Sequence, residues 1–148
     1  MLKIVVDANI FVSAVLKPHS DLAKIFELIR EDKVKLILSE DILSEIRAVL
    51  LYPKIKKRHR RTRKEIEEFL DKAFQVSILA QGRIDCDEIR EDPADNKYLS
   101  AALEANADFI ISGDHHLKDL KVFEGIRILD PSAFLALALK KTPYRLNK

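Results

Sequence analysis

The chain has 148 residues, 47% hydrophobic and 34% charged, with a formal net charge of +2 and one cysteine, Cys86. A chain of that length suits a single domain burying roughly 70% of its unfolded surface, so neither a disulfide nor a structural metal is needed to hold it. No apolar run nears the ~20 residues of a membrane-spanning helix, and no CxxC or Cys/His spacing of a zinc site occurs.

The first element is the run Lys3–Val6, β-branched and apolar, ended abruptly by Asp7. It reads as a strand buried on both faces, as in a parallel sheet. In open α/β sheets ligands sit beyond the carboxyl ends of the strands, where Asp7 falls. Asn9 is placed to cap the following helix or to hydrogen-bond to Asp7. The start of the chain shows no signal-peptide pattern, and with a single cysteine a cytoplasmic setting is the expectation.

Ile10–Lys17 reads as a helix ended by Pro18, and Leu22–Glu31 as a second, with Ser20 or Asp21 as its cap and residues 22, 25, 26 and 29 on one face. Val34–Leu38 is a second strand. Ser39 caps the next helix, whose buried stripe is Leu43, Ile46, Val49 and Leu50, and Pro53 stops it. Thr62 and Glu65 form a capping box for a helix over 63–74, with Ile66, Phe69, Leu70 and Ala73 inward. Gln75–Leu79 reads as a third strand. Gln81–Asp95 is a long polar loop of the kind that carries function. A helix from Asp95 to about Asn106 buries Leu99, Ala102 and Leu103. Phe109–Ser112 and Ile126–Leu129 complete five strands, and Asp130 with Pro131 opens a last helix through Leu139. Order is expected to fade after about residue 142.

Strands alternating with helices predict one domain over 1–148, a three-layer α/β/α sandwich on a central parallel sheet of about five strands. Charge is unevenly spread along it. Lys54, Lys56, Lys57, Arg58, Arg60, Arg61, Arg63 and Lys64 place eight cations in eleven residues without an acid, which leaves the rest of the chain at −6. That polarity suggests a polyanionic partner beside an acidic, cation-holding site. The run suits a helix or loop beside the active rim. A solvated cluster or a partner-docking arm is the competing reading, and with no aromatic inside the run no base stacking is expected there.

Asp7 and Asp114 end two strands, Asp95 opens a helix, and Glu45 lies in the second turn of another, so all four point to one sheet edge. Four carboxylates on one rim repel each other at low dielectric unless a cation is held. Oxygen donors without cysteine or matched histidine favour Mg²⁺ or Mn²⁺ over zinc. Each acid also has an ordinary reading, as cap, turn residue or surface glutamate. Their shared edge is what raises the metal site above those.

Asp7-Ala-Asn9, Glu45 in Ser39-Glu-Asp-Ile-Leu-Ser-Glu-Ile, Asp92-Pro-Ala-Asp-Asn96 and Ser112-Gly-Asp114-His-His-Leu117 together resemble the PIN domain family, most closely its toxin–antitoxin branch. The resemblance implies a Mg²⁺- or Mn²⁺-dependent ribonuclease whose acidic quartet is Asp7, Glu45, Asp95 and Asp114, all four as catalytic residues and metal ligands. Asn9, Asp92 and Ser112 are supporting residues, and His115 and His116 are surface residues. It also implies an RNA substrate, a small antitoxin protein as partner and a homodimer. The charge of the basic run makes Lys56, Lys57, Arg58, Arg60, Arg61 and Arg63 the residues expected to hold the RNA phosphates. The alternatives are a housekeeping RNA-processing nuclease and a non-catalytic RNA- or protein-binding module. A receiver domain lacks its Asp at the tip of the third strand, and Asn9 replaces the second Asp of an Asp-x-Asp phosphohydrolase.

Overall fold

In a computed structural model of the chain the described residues are 1–17, 19–87, 95–113 and 115–146, with residues 115, 116 and 140–146 described by their backbone alone. Strand β1 (Leu2–Val6) has Ile4, Val5 and Val6 all fully buried. Successive strand residues point to opposite faces, so both faces of β1 are covered, the mark of an inner parallel strand. Helix α1 (Ala8–Leu16) follows at once, capped by Asp7, and α2 (Asp21–Arg30) is capped by the Ser20 hydroxyl. Strand β2 (Val34–Ser39) feeds α3 (Glu40–Leu51), where the Ser39 hydroxyl accepts from the Ile42 N–H at 3.2 Å.

Pro53 does end α3, and it also opens α4 (Pro53–His59), a short helix, which settles the helix-or-loop choice for the first half of the basic run. The expected Thr62–Glu65 capping box is present at the start of α5 (Arg63–Val76). Strand β3 is Ile78–Ala80, so the strand expected at Gln75–Leu79 is displaced: Gln75 and Val76 form the last turn of α5, because the amphipathic repeat runs on to them. Helix α6 (Asn96–Glu104), β4 (Phe109–Ile111), α7 (His115–Leu120), β5 (Val122–Phe123), β6 (Ile126–Leu129) and α8 (Pro131–Leu146) follow. α8 continues past Leu139, into the region where order was expected to fade.

The sheet has six strands rather than five, in the order β3-β2-β1-β4-β6-β5. The addition is the two-residue edge strand β5, antiparallel to β6 across a turn at Glu124–Gly125 and too short for period-2 patterning to show. All other pairs are parallel, with Val5 in register with Ile37 on one side and Ile110 on the other. Helices flank this sheet, with α6 packed on β1, β2 and β4, and α1 packed on α2 and α3. Phe11 of α1 meets the Phe26 ring of α2 at 4.5 Å and the Phe69 ring of α5 at 5.9 Å, both edge-on, and locks these helices together. No described helix is long and apolar enough to cross a membrane.

Candidate active site

The strand order reverses at β1: β2 and β3 lie to one side, β4 and β6 to the other. The crevice beyond the carboxyl ends of β1 and β4 is therefore the topological switch point, where open α/β sheets bind ligands. Asp7 stands there, 4% exposed, immediately after β1. Its backbone N–H donates to the Ile111 carbonyl at 3.0 Å, tying it to the end of β4. Ser112, fully buried, donates its hydroxyl to Asp7 Oδ2 at 2.9 Å. Oδ1 accepts from the Asn9 backbone N–H, also at 2.9 Å. Asp7 rather than Asn9 thus caps α1, and the exposed Asn9 reaches Asp7 through its main chain.

Glu45 is drawn to the same crevice by Tyr98, a residue not among those expected from the sequence. The Tyr98 hydroxyl accepts from the Ala8 N–H at 3.1 Å and donates to Glu45 Oε1. One buried oxygen thereby links the start of α1, the second turn of α3 and α6. Burial, reinforced by the Glu45 carboxylate it donates to and the charge of Asp7, pushes the Tyr98 phenol far above its ordinary value, so it remains a neutral donor. Lys97, next to it, places Nζ 3.0 Å from Glu45 Oε1 and 4.9 Å from the centroid of the Tyr98 ring. No sequence signal marked Tyr98, since a tyrosine on the buried face of α6 reads as core.

Asp95 is buried at the turn that opens α6, but its side chain makes no cap hydrogen bond and its backbone is helical. The plain cap reading of this residue therefore fails. Beside Glu45, a cleft of about 740 Å³ runs along the ends of β2 and β3, walled by Ser39, Asp41, Asn96, Lys97 and Glu104 among others. Glu104 accepts from the backbone N–H groups of Gln81 and Arg83, which hold its carboxyl below the usual range and fasten the loop after β3 to α6.

Comparison with known proteins decides the family. A family model described as PIN domain matches residues 3–116. The chain belongs to the PIN domain family. The uncharacterized protein MJ1680 of Methanocaldococcus jannaschii is 33% identical over 120 residues, covering 81% of this chain and 76% of that protein. Two crystal structures share the fold. VapBC2 from Rickettsia felis, bound to a DNA fragment from its promoter, has a TM-score of 0.58 at 16% identity over 86% of this chain and 97% of that one. PAE2754 from Pyrobaculum aerophilum has a TM-score of 0.59 at 15% identity over 94% and 90%.

Of the residues expected in the PIN site, Ser112 is bonded to Asp7, Glu45 is tied through Tyr98 to the amide of Ala8 next to Asp7, and Asp95 opens the helix that carries Tyr98. Asp92 and Asp114 lie outside the described residues, as do the side chains of His115 and His116. Among the described residues no group of three or more His, Cys, Asp or Glu is close enough to hold an ion by itself. The described carboxylate donors, Asp7 and Asp95 buried and Glu45 half-buried, fit a hard cation such as Mg²⁺ or Mn²⁺.

The cationic residues sit elsewhere than expected. α3 starts at the rim and, at 1.5 Å per residue, carries the chain roughly 18 Å away before α4 begins. The His59 ring bonds the Leu50 carbonyl at 2.9 Å and so fastens α4 to that far end. Lys56, Lys57, Arg58, Arg60, Arg61 and Arg63 are thus grouped at the end of α3 opposite the acidic rim rather than beside it.

Proposed function

We propose that this PIN domain is a divalent-cation-dependent endoribonuclease, the toxin of a toxin–antitoxin pair. The observation that carries the reading is the buried Asp7 at the switch point, bonded to Ser112, beside an Ala8 amide that Tyr98 ties to Glu45. Family membership and the fold shared with VapBC2 support it. A small antitoxin as partner, a homodimeric state and a cytoplasmic setting go with that role.

Asp7, Glu45, Asp95 and Asp114 would hold a Mg²⁺ or Mn²⁺ ion. When bound, the ion polarises the phosphodiester and makes water a better nucleophile. The chain's own residues set the geometry. Ser112 and the Asn9 amide occupy one lone pair on each Asp7 oxygen, which fixes the plane of the carboxylate. Tyr98 holds Glu45 toward the start of α1, and the Lys97 ammonium offsets Glu45's charge. No residue is required to deprotonate the ribose 2′-hydroxyl, so the products carry a 5′-phosphate and a 3′-hydroxyl.

The test is cleavage of a generic RNA with and without Mn²⁺, comparing wild type with Asp114→Asn. Cleavage should require the ion and vanish in the folded variant. Ion-independent cutting, or an Asp114→Asn protein as active as wild type, would sink the assignment. Growth arrest on expression, relieved by the product of a neighbouring small gene, distinguishes a toxin from a processing nuclease.

A further inference from the structure

The nuclease reading leaves a second built feature of the fold unused. A groove of about 680 Å³ lies where α3 ends and α5 begins, lined by Leu51, Pro53 and Thr62 and by the cations Lys56, Lys57, Arg60, Arg61 and Arg63. All five cations are exposed, and none takes part in an ion pair among the described residues. The nearest acid in sequence, Glu65, is committed to the Thr62 capping box, which holds its carboxyl below the ordinary range. Five like charges lining one groove repel each other, and a polyanion relieves that repulsion.

The groove is held rigid. Arg60 closes α4 in the left-handed region at φ 58°, its N–H bonded to the Lys56 carbonyl at 2.9 Å. His59 accepts from the Arg61 backbone N–H through Nδ1 at 2.9 Å. That bond leaves the ring proton on Nε2, which donates to the Leu50 carbonyl. The arginines therefore stand on a pinned turn, not on a loose arm, and little order need be gained on binding. Three of the five are arginines, whose planar fork matches a phosphate.

Between two of the lining residues, Leu51 and Pro53, lies Tyr52, 56% exposed. Tyr52 is next in sequence to the lining rather than part of it. Single-stranded nucleic acid uses cations and a nearby exposed aromatic together, backbone on the charges and a base on the ring. We propose that this groove is a binding site for single-stranded RNA, with Tyr52 as its stacking platform, set apart from the acidic rim along α3. The choice of RNA rests on the nuclease reading. The charge and the aromatic are independent of it.

Binding is measured by fluorescence anisotropy of a short labelled oligouridylate, in EDTA so that no cleavage intervenes. Wild type should bind, and log affinity should fall with log salt. Each phosphate neutralised on a single strand contributes ~0.7 to that slope, so changing Arg60, Arg61 and Arg63 together to Gln should flatten it by roughly two. Tyr52→Ala should weaken binding about tenfold, while Tyr52→Phe keeps it. Far-ultraviolet dichroism confirms that each variant is folded, as the exposure of these side chains leads one to expect. A Tyr52→Ala protein that binds as wild type does, or equal affinity for a duplex of the same length, overturns the proposal. So does displacement of the RNA by polyglutamate at equal charge concentration, which would make the groove a dock for an acidic protein segment. Failure of the nuclease reading would show itself separately, as absent cleavage in Mn²⁺ with this binding intact.

Discussion

At Tyr98 one buried hydroxyl satisfies the first amide of α1 and holds the carboxylate of α3. The ring could pack as well without it. Tyr98→Phe keeps the packing but leaves the Ala8 N–H unpaired and removes Glu45's donor. An unsatisfied buried amide costs about 1–3 kcal/mol, so urea unfolding should show a loss of that size. No loss would mean that water replaces the hydroxyl. Asp130 works at the same scale. Its Oδ1 accepts from the Ala133 N–H at 2.8 Å and from the Ser132 hydroxyl at 3.1 Å. The Ala133 amide lowers its carboxyl below the ordinary 3.8, against a smaller opposing effect of burial, with Ser132 and Lys118 adding to the lowering. The folded state therefore binds this proton less readily than the unfolded state. The stabilisation is present above pH 3.8 and is lost as pH falls through the lower folded value. Asp130→Ala should cost about 1 kcal/mol near neutrality. The gap between variant and wild type, read by denaturant unfolding, should close in acid.

At the scale of elements, the helices are joined by few large side chains. Phe11 touches rings on both α2 and α5 and is almost wholly buried. Phe11→Ala opens a cavity at that junction, and aromatic truncations of this kind cost about 3–5 kcal/mol. A loss that large should lower the thermal midpoint by many degrees. A shift within error would mean that α1 is held by β1 and α3 alone. The start of α5 depends on its capping box, so Thr62→Ala should cost about 1 kcal/mol. It should also loosen the turn that carries Arg60 and Arg61, so that RNA binding weakens with stability.

For the whole molecule, the parallel sheet follows from hydrophobic runs separated by amphipathic helices, and those were legible. Apolar–polar alternation is absent from β1 because both its faces are buried, and the unbroken run Ile4–Val6 said as much. Legibility failed where two signals overlapped. Gln75 and Val76 continue an amphipathic repeat while looking like a strand start, and the helix won because α5 is already nucleated by its capping box. The basic run was left open between helix and loop because charge density says nothing about backbone, and β5 was hidden because two residues have no period. In the site, Asp7 was legible from its place after a buried strand. Tyr98 was not, because a tyrosine at a helix-buried position reads as core, and only the three-dimensional meeting of Ala8 and Glu45 reveals its hydroxyl's work. The position of the basic run was likewise out of reach, since it depends on α3 running the chain away from the rim.

Asp7→Asn should leave the fold intact, because the amide keeps an oxygen for the Asn9 N–H and can donate to the Ser112 hydroxyl. That makes it the clean probe of whether separated acids form one cation site. The direct measurement is a calorimetric Mn²⁺ titration of wild type against Asp7→Asn, Glu45→Gln, Asp95→Asn and Asp114→Asn. Saturable binding by wild type, weakened in every one of the four folded variants, is the expected result. Variants that bind Mn²⁺ as wild type does, or a wild type that binds none, would contradict a shared site.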